Sequence, residues 1–342
     1  MSKFRVGITA DVRQSDGVPI FGTQVLQLLD HPDISWEYMA QPSIDLSPAQ
    51  AASYDAICAM VTRVTPHSLS GANRRLKLIA RFGVGYDSID VPACTRAGVL
   101  LTIAPDGVRR PVATSALTFV LMLAQKVLIK DRLTRAGRWA EKMDHIGTGL
   151  TGRTLGSIGL GNIGAELFRL AKPFDMPGIA HDPVADPALA AALGVRLVDM
   201  DTLFRESDFL TVNCPLNDQT RGLVSARLIA LMKPSAYLIN TARGPIVDEL
   251  ALAAALAQRK IAGAGLDVFD EEPVRVDNPL LQMDNVVLTP HGICFTDECM
   301  RRLAESAFRA TLDVAAGRTP PYIVNPEVLA VARATGTATG GR

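Results

Sequence analysis

A chain of 342 residues, 48% hydrophobic and 20% charged, has an ordinary globular composition and is long enough for two domains with sizeable cores. Its 35 basic residues balance its 35 acidic ones, so net charge points to neither nucleic acid nor an anionic membrane surface as a partner. No apolar run reaches the length of a membrane span, no signal peptide precedes the first strand-like pattern, and the five scattered cysteines lack zinc-ligand spacing. They read as reduced, buried thiols in a cytoplasmic protein without a metal.

In chain order, FRVGIT (4–9), YDAICAMV (54–61), LKLIARF (76–82) and GVLLTIA (98–104) read as strands. Glycines, prolines and apparent helices such as TPHSLSGANRR separate them, which predicts βαβ units and a parallel sheet. PVATSALTFVLMLAQKVLIKDRLTRAGRW then predicts one long apolar helix, with Pro111 in its first turn, where a missing N–H does no harm. A second series follows: TLGSIGL (154–160), GIAHD (178–182), DFLTVN (208–213), AYLIN (236–240), GAGLDVF (263–269) and VVLTPH (286–291) are strands, and ALAAALAQRK (251–260) is a helix. An amphipathic helix, TDECMRRLAESAFRATLDVAAG (296–317), comes next, and the Gly/Thr/Ala-rich tail ARATGTATGGR is expected to be disordered. The fold class is therefore α/β: two Rossmann-like domains with parallel sheets flanked by helices, and an active-site cleft between them.

GLGNIG supplies the full G-x-G-x-x-G spacing at Gly159, Gly161 and Gly164, between a strand and a helix. The first glycine permits the tight turn, the second lets backbone approach a pyrophosphate, and the third lets helix and strand pack closely. The helix start offers N–H groups and a positive dipole to phosphates. Asp182 ends the next strand about twenty residues on, where an acid binds the adenosine ribose and repels a 2′-phosphate, favouring NAD over NADP. The bland alternative is a glycine turn that binds no nucleotide. A second loop, RFGVGYDSID, has Gly83 and Gly85 but Ser88 where a third glycine would stand, and suits a small anion better than a dinucleotide.

Ligands in open α/β sheets bind beyond the carboxyl ends of the strands. Arg243 follows AYLIN, the acids Asp267, Asp270, Glu271 and Glu272 follow GAGL, and His291 follows VVLTP. Arginine holds a carboxylate and polarises a carbonyl. Histidine moves a proton near neutral pH, with a carboxylate to fix its tautomer. Beside NAD, that set meets the needs of reversible 2-keto acid reduction. Each residue alone has an ordinary surface reading, and spacing does not say which acid of the cluster acts.

These segments resemble, in order, the D-isomer-specific 2-hydroxyacid dehydrogenases, in particular the glyoxylate/hydroxypyruvate reductase and phosphoglycerate dehydrogenase branches. The resemblance spans roughly residues 50–325 and rests on RFGVGYDSID, TLGSIGLGNIG, HDP, NCPLNDQTRGLV, LMKPSAYLINTARGPIVDE, AGAGLDVFDEEP and NVVLTPH. It implies that Glu272, before the proline, buttresses His291 as general acid/base and that Arg243 completes the catalytic set. Asp267 then bonds the nicotinamide carboxamide, while Asp270 and Glu271 face solvent. Asn162 and Ile163 meet the pyrophosphate and Asp182 the ribose. Cys214 and Pro215 lie near the adenosine half and Thr241 and Ala242 near the nicotinamide half; Arg243, His291 and Gly292 also touch the cofactor. Val84 and Gly85, with Arg243 and His291, receive the substrate.

The resemblance further implies a substrate domain of 1–104 plus 296–330, an NAD-binding Rossmann domain of 105–295, a tail at 331–342, and a homodimer built with the long helix. Three features depart from the family pattern: HGICFTDE in place of H-I-G-G, which sets Cys294 and Phe295 near the substrate wall; VATS, with Thr114 for an acid; and Arg109–Arg110 where shorter polar residues are common. The expected activity is hydride transfer between NAD(H) and a small 2-keto or D-2-hydroxy acid. The alternatives are a non-catalytic NAD sensor of the same fold and a family enzyme oxidising another donor such as phosphite.

Overall fold

The computed structural model describes residues 3–40, 44–71 and 74–334. It divides into two compact units, one of residues up to Val108 together with those from Phe295 onward, the other Arg109–Cys294.

In the first unit, β1 (Phe4–Ile8), β2 (Ile34–Tyr38), β3 (Ala56–Ala59), β4 (Leu78–Arg81) and β5 (Leu100–Thr102) form a parallel sheet in the order β2-β1-β3-β4-β5. Its inner strands are apolar on both faces because helices cover both; every residue of β3 is buried. The helix Asp297–Ala315 packs on β3 and β4. Thr296 caps it by accepting the Cys299 N–H at 3.2 Å. Its apolar face recurs at Met300, Leu303, Ala304, Ala307 and Phe308, all buried. Among the described residues of TPHSLSGANRR the expected helix is only a short 3-10 turn at His67–Leu69. Thr65 and Ser68 exchange backbone-to-hydroxyl hydrogen bonds at 3.0 and 3.3 Å, and such local bonds compete with helix formation.

In the second unit, β6 (Leu155–Ile158), β7 (Gly178–His181), β8 (Val195–Leu197), β9 (Phe209–Val212), β10 (Tyr237–Asn240), β11 (Gly263–Leu266) and β12 (Val286–Leu288) are all parallel, in the order β12-β11-β10-β9-β6-β7-β8. Leu210, Val212 and Leu238 point into one apolar cluster, and Phe209, Tyr237 and Ile239 into the other, so both faces are core. The pairing sets His181, Ile158, Val212, Asn240, Leu266 and Leu288 level across six strands. The loops after these strands therefore leave the sheet along one edge.

Two strands are absent from the sequence reading, β2 and β8. Both lie at sheet edges and bury a single residue each, Ile34 and Val195, so neither carries a continuous apolar run. The single long helix expected from Pro111 is two. Pro105–Ala124 starts six residues earlier, with Pro111 inside it, and Val127–Arg135 follows at 56°. Lys126 breaks the run in the left-handed region, at φ 52°, and the Thr148 N–H takes up the Ala124 carbonyl at 2.8 Å. Pro111 therefore removes one interior helix bond rather than sparing a first-turn donor. Among the described residues no single helix is long and apolar enough to cross a membrane. The tail expected to be disordered from residue 331 begins as the end of a helix, Glu327–Ala334, whose EVLAVARA sequence is rich in strong helix formers; residues 335–342 lie outside the described residues.

Candidate active site

The chain turns from β6 to β7 on one side and later returns to β9 on the other, so β6/β9 is the topological switch point of the larger sheet. Gly159 leaves β6 at φ 97°, a value that side chains disfavour. Gly161 caps the helix Asn162–Ala171, no side chain occupies that cap, and a Cβ at Gly161 would face open space. At Gly164 a Cβ would stand 2.4 Å from the Gly159 carbonyl oxygen, so the helix abuts the loop only because nothing is there. Beneath, the Ser157 hydroxyl donates to the Gly159 carbonyl at 2.6 Å, and Asn213 Nδ2 donates to Ser157 and Thr211 at 2.9 Å each.

Asp182, past the end of β7, accepts the Leu160 N–H at 2.8 Å and the Val184 N–H at 3.0 Å. The carboxylate expected to read the ribose thus also ties down the glycine loop. Cys214 follows β9 beside Gly159, where burial pushes its thiol up to about 11, with the Asp182 charge adding to the effect. Asn162, Ile163 and Cys214 border this loop, and Pro215 follows Cys214 in the chain. The open face at Gly161, the uncapped helix start and the carboxylate after β7 fit a dinucleotide pyrophosphate with an adjoining ribose.

The other three strand ends converge on one another. Buried Asn240 shapes the turn after β10: its Oδ1 accepts the Ala242 N–H at 3.0 Å and its Nδ2 donates to the Arg243 carbonyl at 2.8 Å. Asn240 carries no expected role in the sequence motifs, although an asparagine closing a strand is a recognisable turn builder. Thr241, Ala242 and Arg243 are half-buried on this turn. At Gly244 a Cβ would lie 1.8 Å from the Phe269 carbonyl oxygen, so the arginine turn and the acid loop touch backbone to backbone.

After β11 the cluster sorts itself. Asp267 is 3% exposed, and its Oδ1 accepts from the Thr289 hydroxyl (2.6 Å), Gly292 N–H (2.9 Å) and Ile293 N–H (3.1 Å). Its carbonyl takes the His291 N–H at 2.7 Å. This clasp holds His291 at φ 52°, a left-handed conformation that non-glycine residues adopt only when surrounding bonds impose it. Asp270 and Glu271 are exposed. Glu272 accepts the Phe269 N–H at 3.0 Å through Oε1 and lies 2.7 Å from His291 Nδ1 through Oε2. Burial pushes its carboxyl up, but the His291 hydrogen bond, the Phe269 N–H and the positive charges of His291 and Arg243 outweigh that and hold it below the usual range. With Nδ1 committed to Glu272, Nε2 is the ring nitrogen left to face a reactant.

Val84 and Gly85 belong to the first unit, on the loop after β4. Gly83 sits at φ 151°, Arg81 Nε donates to the Gly85 carbonyl at 2.7 Å, and the Val84 and Gly85 N–H groups donate to no other backbone group among the described residues. Arg110 pairs at 2.9 Å with Glu166, a buried residue of the glycine-loop helix, while Arg109 is exposed. Cys294 is half-buried and Phe295 is exposed. No group of His, Cys, Asp and Glu suited to a metal occurs among the described residues.

Residues 117–292 match the family model described as D-isomer specific 2-hydroxyacid dehydrogenase, NAD binding domain. A glyoxylate reductase of Korarchaeum cryptofilum is 36% identical over 299 residues, covering 86% of this chain and 90% of the relative. A D-3-phosphoglycerate dehydrogenase of Synechocystis is 35% identical over 322 residues, covering 94% of this chain and 57% of that longer protein. Among solved structures, D-lactate dehydrogenase from Aquifex aeolicus complexed with NAD and lactic acid superposes with a TM-score of 0.79 at 27% identity, covering 93% of this chain and 98% of the other.

Proposed function

This chain belongs to the D-isomer-specific 2-hydroxyacid dehydrogenase family and is an NAD-dependent oxidoreductase acting on the CH–OH group of small 2-hydroxy acids; from that premise we propose that it works mainly as a reductase of glyoxylate or hydroxypyruvate, with His291 as general acid. The observation that carries the proposal is the 2.7 Å pair of Glu272 and His291 beside the charge of Arg243, on the same sheet edge as the glycine loop.

Gly159, Gly161, Asn162, Ile163 and Gly164 hold the pyrophosphate, and Asp182, Cys214 and Pro215 the adenosine half. Thr241, Ala242, Arg243, Asp267, His291 and Gly292 hold the nicotinamide half. Bound NADH supplies a hydride. Arg243 grips the substrate carboxylate and polarises the neighbouring carbonyl through its planar fork. His291 Nε2 delivers a proton to the carbonyl oxygen as the carbon is reduced. Glu272 keeps the ring oriented and balances the imidazolium charge. Asp182 makes NADH the preferred form, since a 2′-phosphate would meet its carboxylate.

The protein is a homodimer in this reading. Trp139, Met143 and Ile146 expose 67%, 65% and 67% of their surface on the segment after the two-part helix, and a second copy of the chain covers them. Light scattering should give a dimer, and Trp139→Glu a monomer. The cytoplasm is the compartment proposed, in keeping with the scattered and odd-numbered cysteines of the sequence.

The test of function is a panel of glyoxylate, hydroxypyruvate, pyruvate and bulkier 2-keto acids with NADH and NADPH. Turnover of the two smallest polar acids with NADH is expected. Tight NADH binding without turnover of any acid would instead favour a sensor.

A further inference from the structure

The loop that carries Glu272 has little core of its own. Asp270, Glu271, Pro273, Arg275, Val276 and Asp277 are all exposed. A catalytic carboxylate on such a loop needs something to fix its position, since about 1 Å of misplacement can cost ~10²-fold in rate. The Phe269 N–H holds one oxygen of Glu272 at 3.0 Å, but that bond lies within the same loop, and the Glu272–His291 bond is the contact to be set.

The ends of the loop are gripped from outside by Glu249, the first residue of the helix Glu249–Ala257. Its Oε2 accepts the Asp270 N–H at 2.9 Å, and its Oε1 accepts from Asn278 Nδ2 at 2.7 Å. Asn278 is itself fixed, since its Oδ1 accepts the Leu280 N–H at 3.0 Å and caps the short helix Pro279–Gln282. The helix that carries Glu249 is anchored in turn: Asp248 caps it by accepting the Ala251 N–H at 3.0 Å, and Leu252 and Leu256 are buried in the core. One carboxylate on a rigid helix therefore ties both stems of the loop. On the near side, Gly244 lets the arginine turn abut Phe269.

We infer that Glu249 is a positioning residue of the active site, which sets Glu272 against His291 through Asp270 and Asn278. The inference rests on the reading of Glu272 and His291 as the catalytic pair. Glu249 acts through Glu272, so its loss should reproduce a weaker form of the loss of Glu272, in rate and in pH dependence alike.

The experiment measures kcat for reduction and its pH profile, together with NADH affinity, in the full-length wild type, Glu249→Ala, Glu249→Gln, Glu272→Gln and the double variant Glu249→Ala/Glu272→Gln. Glu249→Ala should lower kcat about tenfold. Its pH profile should depart from the wild type's in the same sense as that of Glu272→Gln, since both variants disturb the Glu272–His291 contact. NADH affinity should stay within about twofold of wild type. Glu249→Gln keeps one acceptor and turns an amide N–H towards the other donor, so it should fall in the same sense by less. Adding Glu249→Ala to Glu272→Gln should cost no further kcat, since coupled residues are not additive.

A damaged Glu272→Gln beside Glu249 variants of wild-type rate and profile would overturn the brace alone. A Glu272→Gln enzyme like wild type would overturn the catalytic pair and the brace together. If Glu249→Ala does not fold, Glu249→Gln and Asn278→Ala decide, and a wild-type pH profile in both would count against the inference.

Discussion

The glycine loop and the acid loop leave the same sheet edge and are held by different means. The first is shaped mainly by its own sequence: three glycines at fixed spacing, a hydroxyl beneath and the start of the next helix, with Asp182 as an added tie from the next strand end. The second is assembled from afar, since Gly244 reaches it from the turn after β10 and Glu249 from the helix that follows, and Asp267 clasps the histidine loop that faces it. Where geometry is imposed by neighbours in sequence, a motif announces itself. Where long-range side-chain bonds impose it, the same residues look like ordinary surface acids.

The contrast can be broken at its two close approaches. Gly164→Ala puts a Cβ 2.4 Å from a backbone carbonyl and should weaken NADH binding. Overpacking of about 1–3 kcal/mol translates to roughly 5- to 150-fold. Gly244→Ala, with its Cβ at 1.8 Å from Phe269, should lower kcat far more than NADH affinity. Fluorescence titration beside steady-state kinetics separates the two, and equal effects of both substitutions on NADH affinity would erase the distinction.

A pH dependence sharpens it. The Glu272 carboxyl is held below its ordinary value. Its contribution to stability is therefore complete above the unfolded carboxyl's value of about 4.3 and is lost as pH falls through the lower folded one. Urea denaturation should show wild type losing stability relative to Glu272→Gln only below about pH 4.3. A difference that grew towards neutral pH would have the wrong sign.

Smaller effects are expected at Asp182. Asp182→Asn should narrow the preference for NADH over NADPH. Asp182→Ala should weaken both, because Leu160 and Val184 lose their acceptor. A clean gain of NADPH use in Asp182→Ala would show that the loop does not need those bonds. Asp270→Asn and Glu271→Gln should be nearly silent in kcat. Arg110→Ala should leave the ratio of glyoxylate to a longer acidic 2-keto acid unchanged, since Arg110 is paired with Glu166.

Much of this was legible in the sequence. The inner strands carry uninterrupted apolar runs because both faces are buried, and GLGNIG followed by GIAHD marks a switch point. β2 and β8 were not legible because each buries a single residue and so carries no apolar run, and the break at Lys126 was not because the apolar pattern continues through it. Within DVFDEEP, spacing cannot separate Glu271 from Glu272; the 2.7 Å contact to His291 does. Glu249 had no visible role, since its partners, the Asp270 N–H and Asn278 Nδ2, are brought to it only by the completed fold; Asn240 was open to recognition as a turn builder, since its partners lie two and three residues on.

The most direct test of the central claim is NADH oxidation by glyoxylate at saturating NADH, in wild type and His291→Ala, with NADH affinity measured on both. Wild type should turn over, and His291→Ala should lose about 10²–10⁴-fold in kcat, the usual contribution of a positioned acid, while still binding NADH. Wild-type turnover in His291→Ala would contradict the account.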